Sequence, residues 1–131
     1  MINDNMYNVK IRKSVMIAHS LPAPFFGPAQ QLHGATYVVN VTFKNPELNE
    51  YNVVIDIGKA HEVLGEVLKP LAYQNLDELE QFKGQLTTTE FVAKYIHDEV
   101  AKKVKGFFTG KIEVLLGETH DAWAGYASGN E

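Results

Sequence analysis

The sequence predicts an α+β fold: a four-stranded antiparallel sheet with two helices on one face. Two observations carry this reading. Apolar and polar residues alternate over long N-terminal stretches and again near the C-terminus, which is the period of half-buried strands. Between them the period switches to that of helices, and two helices each apolar along one stripe need a sheet to cover.

The first strand is expected over residues 7–19, where Val9, Ile11, Val15 and Ile17 alternate with polar neighbours and His19 continues their face. The loop after it holds Pro22, Pro24, Gly27 and Pro28, which exclude a helix. The second strand is expected over 35–44, rich in β-branched and aromatic residues, with Tyr37, Val39, Val41 and Phe43 on one face. A turn at Asn45-Pro46 and Asn49-Glu50 leads to a third strand over 51–56, built on Val53-Val54-Ile55. The first helix spans 59–71, with Ala60, Val63, Leu64, Val67, Leu68 and Leu71 as its stripe. The second spans 88–104, with Val92, Tyr95, Ile96, Val100 and Val104 facing inward. Thr87-Thr88-Thr89-Glu90 at its start reads as a capping box, Thr87 bonding the backbone of Glu90. The last strand, 111–118, alternates through Ile112, Val114 and Leu116 to Glu118.

The chain has 131 residues, 45% hydrophobic and 21% charged, which fits one domain over 1–131 with a core that needs no staples. There is no cysteine, so disulfides, cysteine-ligated zinc and a thiolate nucleophile are excluded. With a net charge of −4, the short Lys102-Lys103-Val104-Lys105 run reads as a solvated helix end, and no nucleic-acid partner is expected. No apolar run approaches the ~20 residues needed to span a membrane, and Met1 to Asn5 lack the features of a signal peptide. The expected location is therefore the cytoplasm.

Three groups of residues can carry chemistry. His19 and His33 sit at ends of adjacent strands, His33 sharing parity with Tyr37. Two imidazoles delivered there either converge on zinc or make structural hydrogen bonds. Glu118 ends the apolar face of the last strand, so parity points a carboxylate inward, where it needs a protein partner or a ligand. A pterin or guanine ring offers two adjacent N–H donors that a carboxylate accepts as a pair. Thr88 and Thr89 at a helix N-terminus either cap it or bond polar ring atoms.

Several segments resemble one family. Val15 to Leu21, with His19, looks like a Phe-x-Ala-x-His-x-Leu segment. Leu32-His33-Gly34-Ala35-Thr36-Tyr37 is similar to Leu-His-Gly-His-x-Tyr, and Val54 to Gly58 to Val-x-Asp-Phe-Gly. Lys69-Pro70-Leu71-Ala72-Tyr73-Gln74-Asn75-Leu76-Asp77 is similar to Lys-Pro-Leu-Asp-His-Lys-Asn-Leu-Asp. Thr88-Thr89-Glu90 with Ala93 and Tyr95-Ile96 resembles Thr-Thr-Glu-Asn-x-Ala-x-Tyr-Ile, and Glu118-Thr119 with Trp123 and Tyr126 a closing Glu-Thr motif. These are motifs of the 6-pyruvoyl-tetrahydropterin synthase / 6-carboxytetrahydropterin synthase family, in the family's order and from residue 7 to about 126. The resemblance implies the tunnelling fold, which assembles edge to edge into a barrel, as a tetramer or hexamer with sites between subunits. It also implies zinc on three histidines and a pterin ring held by the closing glutamate.

This chain departs from the pattern where the family does its chemistry. The zinc histidines would fall at His19, His33 and position 35, which is Ala35; any zinc site would be weakened. The family's cysteine has no counterpart, and its Asp-His pair is Ala72-Tyr73. His61, His97 and His120 are poor substitutes by position, although His120 follows the Glu118-Thr119 motif and stays a candidate. The ring-binding residues Thr88, Thr89 and Glu118 remain. The resemblance therefore implies a protein that binds a pterin- or purine-like ring without the standard synthase reaction. A first alternative is a lyase or aldolase acting on a dihydropterin side chain, with Tyr73 as its acid/base despite an ordinary pKa near ~10. A second is a non-catalytic structural or regulatory subunit.

Overall fold

The computed structural model describes residues 5–128. In chain order it contains β1 (Tyr7–His19), β2 (His33–Asn45), α1 (Ile57–Leu68), β3 (Gln74–Asn75), α2 (Thr89–Val104), β4 (Lys111–Thr119) and β5 (Ala122–Ala127). The strands form one sheet in the order β3-β1-β2-β4-β5. All pairings are antiparallel except that of the two-residue β3, which runs parallel beside Ile17 and Ala18 of β1.

The predicted alternation sets the register. Ile11 lies opposite Val41, and Val41 opposite Val114, so one buried row crosses three strands; Phe43 with Ile112 and Val39 with Leu116 make further contacts of the same kind. Both helices cover this face. Ala60, Val63, Leu64, Val67 and Leu68 of α1 join Val92, Ala93, Ile96, Val100 and Val104 of α2 in one continuous core with those strand residues. Each Val, Leu or Ile so buried contributes about 1.5–3 kcal/mol. The fold class and the predicted helices hold.

The third strand does not form. Residues 51–56 turn instead, because the Asn49 side-chain oxygen accepts from the backbone of Tyr51 (2.8 Å) and Val53 (3.3 Å) and Asn52 adopts φ +62°. Val54 and Ile55 are buried as loop residues, and Asp56 caps α1 by accepting from the Gly58 N–H at 3.2 Å. Helix α1 therefore begins at Ile57. It ends at Leu68 in a short 3-10 turn, Lys69–Leu71, since Pro70 has no N–H to extend the ladder. The fourth long strand is β5, which folds back on β4 after the turn at His120-Asp121.

The cap of α2 is also displaced by one residue from the expected position. Thr88, not Thr87, is the N-cap, accepting from the Phe91 N–H at 3.1 Å. Phe91 thereby occupies the third helical position and has no carboxylate to reach back, so the reciprocal half of a capping box is absent. Thr87 is engaged elsewhere.

Candidate metal and ligand site

The last residue of β1 and the first of β2 are paired: His19 lies opposite His33, with ring centroids 4.6 Å apart. His19 is 1% exposed. Its Nδ1 lies 2.8 Å from the Thr87 carbonyl oxygen and 3.1 Å from Thr87 Oγ1. A carbonyl only accepts, so Nδ1 carries the proton and Nε2 presents a lone pair. Burial pushes the His19 pKa down, against the raising effect of the Thr87 backbone bond, so the ring is neutral near pH 7. His19 Nε2 is buried and has no hydrogen-bond partner among the described residues. His33 Nδ1 lies 2.8 Å from the Gln31 carbonyl oxygen, which fixes the same tautomer in the neutral ring.

Glu118 reaches this pair from β4. Gly117 pairs with Trp123 and Thr119 with Ala122, so Glu118 is an extra residue at a register shift, a bulge of the kind that re-aims a side chain. The Trp123 ring packs over Gly117, where a Cβ would come within 2.7 Å of it and displace the ring. Glu118 Oε1 accepts from Thr89 Oγ1–H at 2.7 Å, and Oε2 lies 3.9 Å from Nε2 of both histidines.

A supporting layer lies behind His19. Thr87, fully buried, donates its hydroxyl to Asp77 Oδ1 at 3.1 Å, and Asp77 Oδ2 accepts from Ser20 N–H (2.8 Å) and Ser20 Oγ–H (2.7 Å). Asp77 thus fixes Thr87, and Thr87 fixes the imidazole. Tyr37 is also buried, its ring 6.2 Å from that of His19 and its hydroxyl without a partner among the described residues. Burial, and then the Glu118 charge, push the Tyr37 pKa well above its ordinary value, which keeps the phenol protonated.

The structure therefore brings His19, His33, Glu118 and Thr89 together and places Thr88 on the cap beside them. Tyr73 is 81% exposed, and no hydrogen bond, ion pair or ring contact among the described residues links it to that group. Its backbone has φ +59°, held by the Tyr73 N–H donating to the Met16 carbonyl at 2.7 Å. His97 bonds Asp98 through Nδ1 at 2.9 Å. A groove of about 890 Å³, lined by Tyr7, Val9, Tyr51 and Phe107, lies at the opposite end of β1. Thr87, Asp77 and Tyr37 were legible only as a cap, a motif position and a core residue; their convergence on His19 is tertiary. In donor chemistry, two imidazole nitrogens and a carboxylate oxygen, all within 4.8 Å of one another, fit a divalent cation such as zinc.

The model of the 6-pyruvoyl tetrahydropterin synthase family matches residues 8–129. The chain belongs to that family. It is similar to the 6-carboxy-5,6,7,8-tetrahydropterin synthase of Bacillus subtilis, 32% identical over 105 residues that cover 72% of this chain and 66% of that protein, just under two thirds of its length. It is also similar to the 6-pyruvoyl tetrahydrobiopterin synthase of Dictyostelium discoideum, 29% identical over 103 residues covering 77% of this chain and 74% of the relative. In fold it resembles the 6-pyruvoyl tetrahydropterin synthase of Caenorhabditis elegans, with a TM-score of 0.79 at 22% identity over 98% of this chain and 100% of that one. The Plasmodium vivax enzyme superposes equally well, with a TM-score of 0.79 at 16% identity over the same shares. Among the described residues no helix is long and apolar enough to cross a membrane.

Proposed function

We propose that this family member binds a pterin- or purine-like ring at the corner formed by Glu118, Thr88 and Thr89, and does not carry out the family's synthase reaction. The observation that carries this reading is the 2.7 Å hydrogen bond from Thr89 to Glu118 at the start of α2. It holds a carboxylate in place beside a helix N-terminus, where free N–H groups and hydroxyls meet polar ring atoms. Adjacent ring N–H donors would pair with the two carboxylate oxygens, each of which can accept more than one bond. His19 and His33 would hold zinc, which when bound polarises an oxygen of the ligand.

Three features of the sequence support the absence of synthase chemistry. No cysteine is present, Ala72-Tyr73 stands where the resemblance implies an Asp-His pair, and Ala35 where it implies a third zinc histidine. Losing cooperating groups costs far more turnover than losing single binding contacts. One observation favours a second reading, a lyase or aldolase on a dihydropterin side chain. Tyr73 is held at a positive φ uncommon for a non-glycine residue, a form of strain that clusters at functional sites.

Assembly into a tetramer or hexamer belongs to the same proposal. Among the described residues, no strand pairs with the outer edge of β5 or with most of the β1 edge beyond the two residues of β3, and edge-to-edge joining would satisfy them. Calorimetry with neopterin and 6-substituted dihydropterins, paired with product analysis and light scattering, tests all three parts. Binding without turnover supports the first reading, side-chain cleavage the second. An oligomer that binds none of the compounds would leave a structural or regulatory subunit.

A further inference from the structure

We propose that Glu118 is the third protein ligand of a divalent-metal site, with His19 Nε2 and His33 Nε2 as the other two and Glu118 Oε2 completing the set. Three acceptors face one point. Nδ1 of each ring donates to a backbone carbonyl, of Thr87 for His19 and of Gln31 for His33, which leaves Nε2 as the ring atom available to a metal. Oε2 lies 3.9 Å from both nitrogens, and no hydrogen bond joins any of the three. Lone pairs converging without a donor are electrostatically unfavourable until a cation or proton donor lies between them.

Size selects the cation. His19 Nε2 is sealed from solvent, so a planar ring cannot reach it, whereas an ion seated between the ligands can. Metal–nitrogen bonds of about 2.0–2.1 Å in tetrahedral geometry place ligand atoms about 3.3 Å apart. The observed 3.9 Å separations need only a small inward rotation of Glu118 and His33, both partly exposed. His19 itself is fixed from behind by Thr87 and Asp77, a carboxylate-backed support typical of metal-bound histidines. Thr89 holds Oε1, which leaves Oε2 as the free ligand atom. Ala35, on the same face of β2 as His33, offers no donor, so Glu118 is the nearest group able to complete the triad. Two imidazoles with one carboxylate suit zinc and cobalt and leave a fourth position open.

The proposal stands apart from ring binding, because its test contains no ring. Metal-free full-length protein is titrated with Co²⁺, read by its visible absorption, and with Zn²⁺ in competition. Wild type is expected to bind one ion per chain. Glu118→Gln should weaken binding tenfold or more, as should His33→Ala, and Ala35→His in the Glu118→Gln background should recover most of the loss. Wild-type protein that binds no Co²⁺, or a folded Glu118→Gln variant within twofold of wild type, overturns the assignment. Circular dichroism and a melt report whether each variant folds. If the Gln variant does not, X-ray absorption on the zinc-loaded wild type decides. Two imidazoles plus a carboxylate oxygen support the site, and coordination by fewer than two imidazoles, or by two without a carboxylate, overturns it.

Discussion

Replacing Thr87 by valine isolates the layer that supports His19. Valine keeps the β-branched shape in a fully buried position, so packing is conserved while the hydroxyl is lost. The hydroxyl donates to Asp77 Oδ1 at 3.1 Å and accepts within 3.1 Å of His19 Nδ1; the stronger 2.8 Å bond to the Thr87 carbonyl survives. A hydrogen bond to a charged group contributes about 1.5–3 kcal/mol. Asp77 is half-buried and keeps both Ser20 bonds, so water can replace part of the loss, and the lower end, about 1.5 kcal/mol, is expected. For a domain of this size that is a fall in Tm of about 6 °C. Removing an outer support of a metal-bound histidine also weakens metal binding about tenfold or more. The assay is a thermal melt of the metal-free protein together with a Co²⁺ titration, with Thr87→Ser as the control that retains the hydroxyl. A valine variant that melts within 1 °C of wild type and binds Co²⁺ equally well would show that Asp77 and Thr87 do not position the imidazole.

Other outcomes follow from the same geometry. Ala35→His should raise Zn²⁺ affinity, since it adds an imidazole on the face of β2 that carries His33; an unchanged competition titration would show that residue 35 does not reach the site. Glu118→Gln replaces an acceptor with a donor facing a donor, so affinity for a pterin should fall roughly tenfold or more by calorimetry, with the oligomer intact. The metal-free protein should lose stability as pH falls below about 6.5, because the unfolded chain protonates His19 while burial keeps the folded ring neutral. Denaturant melts at pH 7.5 and 5.5 measure that loss, and His19→Gln should reduce it.

Most of the fold was legible because its strands and helices are amphipathic with unbroken periods. Alternation through Ile11, Val15 and Ile17 and through Ile112, Val114 and Leu116 sets the buried rows directly. The strand expected at 51–56 failed because Asn49 and Asn52 impose a turn that the adjacent Val53-Val54-Ile55 run conceals. Strand β5 escaped notice for the opposite reason. Ala-Trp-Ala-Gly-Tyr-Ala is poor in β-branched residues and lies at a sheet edge, where pairing with β4 supplies what propensity does not. At the site, parity put His19 and His33 on one face, while Glu118 reaches them from a bulge where the register shifts. It could not show that Thr87 faces back toward His19, because that contact joins residues 68 positions apart.

The carboxylate of Glu118 therefore stands at the centre of two demands that parity alone could not separate. Its position on β4, at a bulge fixed by Gly117 against Trp123, brings one oxygen to Thr89 and the other to the histidines. Were a third histidine at position 35, the metal would be complete without Glu118, and both oxygens would be free for a ring. With Ala35 in that place, the nearest donor to the two Nε2 atoms is Oε2. Under the proposed assignment, alanine at position 35 leaves Oε2 to complete the set. A carboxylate that gives Oε2 to an ion keeps Oε1, which can accept from a ring N–H as well as from Thr89. A ligand that fits it best would offer a single N–H to Oε1 and Thr89 and an oxygen to the open position of the ion.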